Sequence, residues 1–483
     1  MSDFAPGVQP FWLAGRACVG DAVLDVHNPD GSMVGRASIP TLAQVEAAVA
    51  ATATAAPSAA ALSLAERAEA CSHVATRLLE RQEEFARLIT AENGKPIKWS
   101  RLEVARAASV FRWAAEEARR WNGDMQRLDT EPTTAGRLAL IRRVPIGSVL
   151  AIAPFNFPLN LVAHKVAPAI AVGAPVLIKP APSTPLSALL LGELMAETAL
   201  PEGMWSVLPV ANETMPALVQ DPRLPIISFT GSAPVGFAIQ QAVPSKHVVL
   251  ELGGNATAVV LADYSSDADL TWAATRIATF AHYQAGQSCI SVQRVLADRS
   301  VYDELVARVV AATEALSTGD ASADDTDVGP LVDESAAIRV HSWIDEAVAA
   351  GAKVLTGGER DGATLRPTVM TDVPDTAKVC VEEVFGPVVT ITPIDGVDDA
   401  ISTINGSRFG LQAGVFTKDI QTAFRLHREL HVGGVIIGDV PSFRADQMPY
   451  GGVKESGVGR EGVRSAMTDF TEERVMVLSG LDL

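Results

Sequence analysis

The sequence predicts an α/β fold: a doubly wound parallel sheet, a second α/β unit after it, and a small bridging β arm. Three observations predict it. Residues 41 to 120 read as helix throughout. Between 148 and 261 short apolar runs (SVLAIAPF, APVLIKP, WSVLPV, IISFTG, HVVLELGG, TAVVL) alternate with stretches long enough for helices, the signature of parallel strands joined by crossovers. Residues 124 to 147 break both patterns with two strand-like runs around a Thr-Thr-Ala-Gly turn, which reads as a projecting hairpin.

In chain order, Ser63 and Glu66 form a capping box at a helix start, and Cys71, Ala75 and Leu78 share a face at i, i+4 and i+7, so Cys71 belongs to the core. After the hairpin come the strands of the parallel sheet, where ligands sit beyond the carboxyl ends. A second alternating segment runs from Gly254 to about 460, with helix candidates at 265 to 280 and 300 to 316 and an acidic loop, STGDASADDTD. The closing DFTEERVMVLSG reads as one more strand, suited to completing the arm. The boundaries expected are 1–123 with 145–252 for the first α/β unit, 253–460 for the second, and 124–144 with 467–483 for the arm.

At 483 residues the chain has room for two to four domains, and 48% hydrophobic with 20% charged residues is ordinary globular composition. A formal charge of -18 argues against a phosphate backbone as partner, so a small ligand is expected and no nucleic acid. Cys18, Cys71, Cys289 and Cys380 lie far apart with no CxxC spacing, which suggests neither a zinc site nor a disulfide framework. The opening MSDFAPGVQP has an acid where a signal peptide carries bases. The most apolar stretch, LNLVAHKVAPAIAVGAPVLI, contains His164, Lys165 and two prolines, which argues against a membrane span. A cytoplasmic protein is the expectation.

Several residues at strand ends could do chemistry. Asn156, in PFNFP after SVLAIA, could donate to an oxyanion, or merely close a turn between prolines. Lys179 ends APVLIK, where it could reach the hydroxyls or phosphate of a nucleotide, or snorkel to solvent. Gly231, Ser232 and Gly236 in FTGSAPVG stand between a strand and a helix whose N-terminus would favour a phosphate; a plain turn is the alternative. Glu251 leaves the apolar strand HVVLE, so it is either a desolvated general base or a salt-bridged strand end. Cys289 closes the loop-like GQSC and could be a nucleophile or a small buried hydrophobe. Together the five make a consistent set of nucleophile, base, oxyanion donor and nucleotide seat.

With these residues in place, the chain resembles the NAD(P)-dependent, non-acylating aldehyde dehydrogenase superfamily. The similar motifs are ENGKP (92–96), PFNFP, LIKPAPSTP, FTGSAPVG, LELGGN, GQSC, EEVFGPV (382–388) and PYGGVKESGVGREG (449–462), in the family's order over nearly the whole chain. The resemblance implies that Cys289 attacks an aldehyde to give a thiohemiacetal whose oxyanion is held by the Asn156 amide and the Cys289 N–H. It implies that hydride passes to nicotinamide and that Glu251 activates the water that hydrolyses the thioester. Lys179, Ser232, Glu383 and Phe385 fall on positions the family uses for the cofactor. Ile152, Ala153, Pro154, Phe155, Ser183, Gly231, Gly236 and Leu252 are read with them, and Asn160 is read with the substrate. A homodimer or homotetramer is implied.

Two positions depart from the pattern. Where NAD-preferring members carry a Glu three positions after the lysine, this chain has Pro182 followed by Ser183, so NADP or dual use is expected. Ahead of the nucleophile stands Ser288, where members that handle anionic aldehydes carry a cation, which weighs against a phosphonate or carboxylate substrate without excluding it. Arg444, in VPSFRADQMPYGG, is the one candidate anion anchor left and is expected to orient a short polar aldehyde, with a surface arginine paired to Asp446 or solvent as its alternative. HRELH at 427–431 lacks the metalloprotease spacing, so no metal is expected. Cys380 in AKVCVEEVFG is expected to pack in a strand, and Arg142 and Arg143 to make arm contacts. A thiol esterase using Cys289 and Glu251, and a silent structural relative, are the rival functions.

Overall fold

The structure is a computed structural model and describes residues 7–482; the opening residues 1–6, on which the signal-peptide reading partly rests, lie outside the described residues. The apolar runs of 148 to 251 form five parallel strands. Those at Val149–Ile152 and Val176–Lys179 are buried at every position, as they must be when helices cover both faces of a sheet. In space the order is His247–Glu251, Ile226–Thr230, Val149–Ile152, Val176–Lys179, Trp205–Val207. The chain therefore winds one way from Val149–Ile152 and then back the other way, with the switch between that strand and Ile226–Thr230. Antiparallel strands close both edges, Gly457–Val458 on one side and Phe11–Leu13 followed by Arg16–Cys18 on the other.

The apolar stretch that begins near 159 is the helix Asn160–Val172, buried along its whole length and stopped by Gly173 in the left-handed conformation (φ 76°) before the strand begins. His164 and Lys165 are buried with it. Among the described residues no single helix is long and apolar enough to cross a membrane. Upstream, the helical reading holds: Ser63 caps Leu64–Glu80 with Glu66 in a reciprocal box, and Cys71, Ala75 and Leu78 are buried on one face.

The TAVVL run, read with the first sheet, instead opens the second. Thr257–Val260 lies between Arg294–Asp298 and Gln412–Phe416 in a seven-stranded sheet that is parallel except for the edge strand Lys353–Thr356. The helix candidates fall at Asp267–His282 and Tyr302–Glu314. Cys380 is buried as expected but sits in the short helix Lys378–Val381, not a strand. Its neighbours alternate in hydrophobicity over too few residues to distinguish one helical turn from a strand. The hairpin and the C-terminal segment form one antiparallel sheet, Thr471–Ser479 against Arg137–Pro145 against Asp124–Arg127. Within it Arg143 bonds Thr471 and Glu473 across the pair.

Candidate active site

A cavity of about 850 Å³ opens where the winding direction reverses. Its floor is the loop after Val149–Ile152, with Ile152, Ala153, Pro154, Phe155 and Asn156 on the wall. Lys179 and Ser183 come from the next strand end, and Gly231 and Ser232 from the loop after Ile226–Thr230. Glu251, Leu252, Cys289, Glu383 and Phe385 complete the opposite end. Residues separated by more than two hundred positions are thus gathered at the carboxyl edge of one sheet.

At the first end, burial pushes the Lys179 ammonium down to about 8; its Nζ donates to Asn212 at 2.9 Å and retains donors for a ligand. Ser232 caps the helix Ala233–Ala242 without spending its hydroxyl on the cap, leaving that N-terminus to an anion. Thr230 Oγ1, on the same wall, is buried with no protein partner. Gly236 is not on the wall. A Cβ there would press into Leu252 and the Phe229 ring, so this glycine lets the helix sit close on the sheet. At the second end the Glu383 carboxyl, pushed up to about 7 by burial, accepts from the Gly254 N–H at 3.1 Å. Phe385 holds a positive φ of 48° and meets the Phe155 ring edge to face, 5.8 Å between centroids. A cation and free amides at one end, apolar walls, and a carboxylate with an aromatic at the other suit a dinucleotide.

The thiol stands at the inner end. The loop that presents it is tightly wound: Gln284, Ala285 and Gly286 all have left-handed φ (54°, 53° and 68°). Asn156 pins this loop, its Nδ2 donating to the Gln287 carbonyl at 2.9 Å while Gln284 Nε2 donates to the Asn156 carbonyl. One hydrogen of the Asn156 amide remains unspent. Cys289 packs against Ile290, Leu411 and Tyr450, and burial pushes its thiol up to about 12.

Glu251 is a buried strand end and, among the described residues, makes no salt bridge. Its Oε1 accepts from the Glu461 N–H at 3.2 Å, and its Oε2 has no protein partner. Burial, reinforced by the neighbouring Glu461 charge, raises its carboxyl well above the ordinary carboxylate range. Burial pushes Glu461 the same way, but Lys165 (3.4 Å) and Arg444 (2.8 Å) outweigh it and keep that carboxyl ionised.

Arg444 is not the surface residue of the alternative reading, and it does not pair with Asp446. Its side chain is 6% exposed, bonded to Glu461, and stacked 3.9 Å over the Tyr450 ring, while its Nε has no partner. Asp446 is taken by Arg106, with Nη2 at 2.9 Å. Asn160 lies off the cavity wall, its N–H capped by Glu103 at 3.1 Å and its Oδ1 buried without a partner. Sequence reasoning missed Tyr450, Glu461, Lys165 and Arg106. Tyr450 and Glu461 lay inside the quoted PYGGVKESGVGREG; the cross-bridge between them, with N–H to C=O distances of 2.9 and 2.6 Å, had no local signal.

Residues 17–476 match the profile of the aldehyde dehydrogenase family. The chain is 45% identical over 415 residues to 3-sulfolactaldehyde dehydrogenase of Priestia aryabhattai, covering 86% of each. It superposes on aldehyde dehydrogenase 21 from Physcomitrella patens, solved with the reaction product succinate, at a TM-score of 0.96 and 42% identity, over 99% of this chain and 100% of that one. It also superposes on an NADP-dependent glyceraldehyde-3-phosphate dehydrogenase from Bacillus halodurans C-125 complexed with NADP, at a TM-score of 0.94 and 35% identity, over 98% and 99%.

Proposed function

The chain belongs to the aldehyde dehydrogenase family, and on that premise we propose that it oxidises a short aldehyde bearing an anionic group to the carboxylic acid, through a covalent intermediate on Cys289. The Cys289 sulfur attacks the carbonyl carbon; a C–S bond forms and the carbonyl electron pair moves onto oxygen. The free Asn156 amide hydrogen and the Cys289 N–H receive that oxyanion. NAD or NADP would be held by Lys179 and the Ser232 helix N-terminus at one end and by Glu383 at the other, and would supply the acceptor for the hydride that leaves the former carbonyl carbon as the oxyanion pair re-forms C=O, which gives the thioester. Glu251 Oε2 then takes a proton from water as the water attacks the thioester, the C–S bond breaks, and the acid leaves. The carboxyl's burial keeps its basicity high enough for that task.

The observation that carries the anionic substrate is Arg444: a buried guanidinium one aromatic ring away from the thiol, with an uncommitted Nε. The three similar proteins are named for a sulfonate, a dicarboxylate product and a phosphate, respectively. For the cofactor, the carboxylates on the cavity wall are Glu251 and Glu383, both at the catalytic end. Among the described residues no carboxylate lines the wall around Lys179, Pro182 and Ser183 to oppose a 2'-phosphate, which supports use of NADP as well as NAD.

The test is absorbance at 340 nm with NAD and NADP separately, over sulfonated, carboxylated and uncharged short aldehydes. Anionic aldehydes should give the higher kcat/KM, and Arg444→Gln should erase that preference by about 10- to 100-fold, the loss of a charge-assisted contact. Equal kcat/KM for charged and uncharged aldehydes in the parent protein would overturn the substrate class.

A further inference from the structure

We propose that the Tyr450 hydroxyl is itself a catalytic group, donating a hydrogen bond to the Cys289 thiolate and so sustaining the nucleophile; this rests on the reading of Cys289 as the attacking atom. The hydroxyl lies 2.9 Å from Sγ and, among the described residues, bonds nothing else. Ile290 and Leu411 pack beside the thiol, and among the described residues Tyr450 is the one side chain that hydrogen-bonds it. A thiolate in such surroundings has one protein donor.

The ring is held in place from two directions. Its backbone is bridged to Glu461 in both senses, at 2.9 and 2.6 Å. The Arg444 guanidinium covers its face at 3.9 Å. Arg444 is in turn fixed to Glu461 at 2.8 Å. A cation on the ring face draws electron density from the phenol and makes its O–H a stronger donor. The donor is therefore fixed before the reaction and needs no rearrangement to act.

The balance of the step is simple. The thiol proton leaves Sγ for the Glu251 carboxylate, which lines the same cavity with a free Oε2, while Tyr450 keeps its own proton throughout. When the sulfur pair becomes the C–S bond, sulfur is a poor acceptor and the hydroxyl is released. When the thioester is hydrolysed, the departing thiolate recovers the same hydrogen bond. Each unit by which the bond lowers the thiol's pKa gives a tenfold larger thiolate fraction. Nucleophilicity falls only about threefold, on a slope of about 0.5, so the net gain per unit is about threefold.

Tyr450→Phe removes one oxygen and keeps the ring beneath Arg444. The measurement is the rate of Cys289 alkylation by iodoacetamide against pH, without aldehyde or cofactor, with the modified residue located by mass spectrometry. At neutral pH, well below the thiol's midpoint, the rate should fall about three- to tenfold, as expected from losing a hydrogen bond to a charged group. Tyr450→3-fluorotyrosine, a stronger donor, should raise that rate. A neutral-pH rate unchanged in both variants overturns the proposal. Failure of the underlying reading has a different mark: complete alkylation of Cys289 in the parent protein would leave aldehyde-dependent NAD(P)H formation intact.

Discussion

Glu251 shows how one residue's surroundings set its role. It ends an apolar strand, so its carboxyl leaves water for a buried site; one oxygen is held by the Glu461 amide and the other has no protein partner. A carboxyl raised in this way is protonated, and useless as a base, at pH values where an ordinary Glu is already ionised. Thioester hydrolysis should therefore climb with pH through that raised value and level off above it. In Glu251→Gln a first burst of about one NAD(P)H per site should remain while turnover falls about 10²- to 10⁴-fold and loses that limb. Stopped-flow absorbance at 340 nm across pH checks both; a variant that turns over normally would remove Glu251 from the mechanism. Glu251, Asn156 and Lys179 were legible because a parallel sheet makes strand ends a short list of candidates. Tyr450, Glu461 and Arg444 were not legible as a unit. Their contacts with the thiol and the base are made by a loop more than 150 residues downstream, and no periodicity encodes such an approach.

At the scale of the element, the loop from Tyr283 to Cys289 shows what the quoted GQSC could and could not reveal. Its glycine announced a turn, but not that two non-glycine residues before it, Gln284 and Ala285, are also left-handed. That strain, costing about 1 to 2 kcal/mol per residue, is held by the Gln284 and Asn156 hydrogen bonds. Gly286 completes the turn against the backbone of Gly386, where no Cβ fits. Gly286→Ala should cost about 1 to 3 kcal/mol in stability by combined strain and overpacking. It should also slow alkylation of Cys289, because the nucleophile's backbone must shift. Denaturant midpoints and alkylation rates measure the two effects, and an unchanged midpoint would refute the strain argument. Cys380 is the converse case. Burial was legible from its apolar neighbours, but the element type was not, because Lys378–Val381 is a single turn set by its packing under the second sheet.

At the scale of the whole molecule, the arm poses a problem that one chain does not solve. Thr471–Ser479 pairs residue for residue with Arg137–Pro145 and, among the described residues, has no strand on its other side. Its side chains Val475, Met476 and Val477 are each more than half exposed, and Met125 on the far strand is 66% exposed. Val475 and Val477 point to one face of the sheet and Met476 to the other, so both faces present apolar side chains to solvent. A long apolar edge strand is an invitation to pair, and soluble proteins leave such edges bare only where something covers them. A second copy of this chain, offering the same edge or seating the arm against its own sheets, is the occupant expected. The double variant Val475→Glu with Val477→Lys should leave the fold and the cavity untouched, since neither side chain contacts them, yet convert the assembly to single chains in light scattering. It should also lower the thermal midpoint, because the arm then stands alone in water. If the parent protein already scatters as a single chain, the arm's apolar strand must serve some other partner, and the oligomer expected from the sequence is excluded.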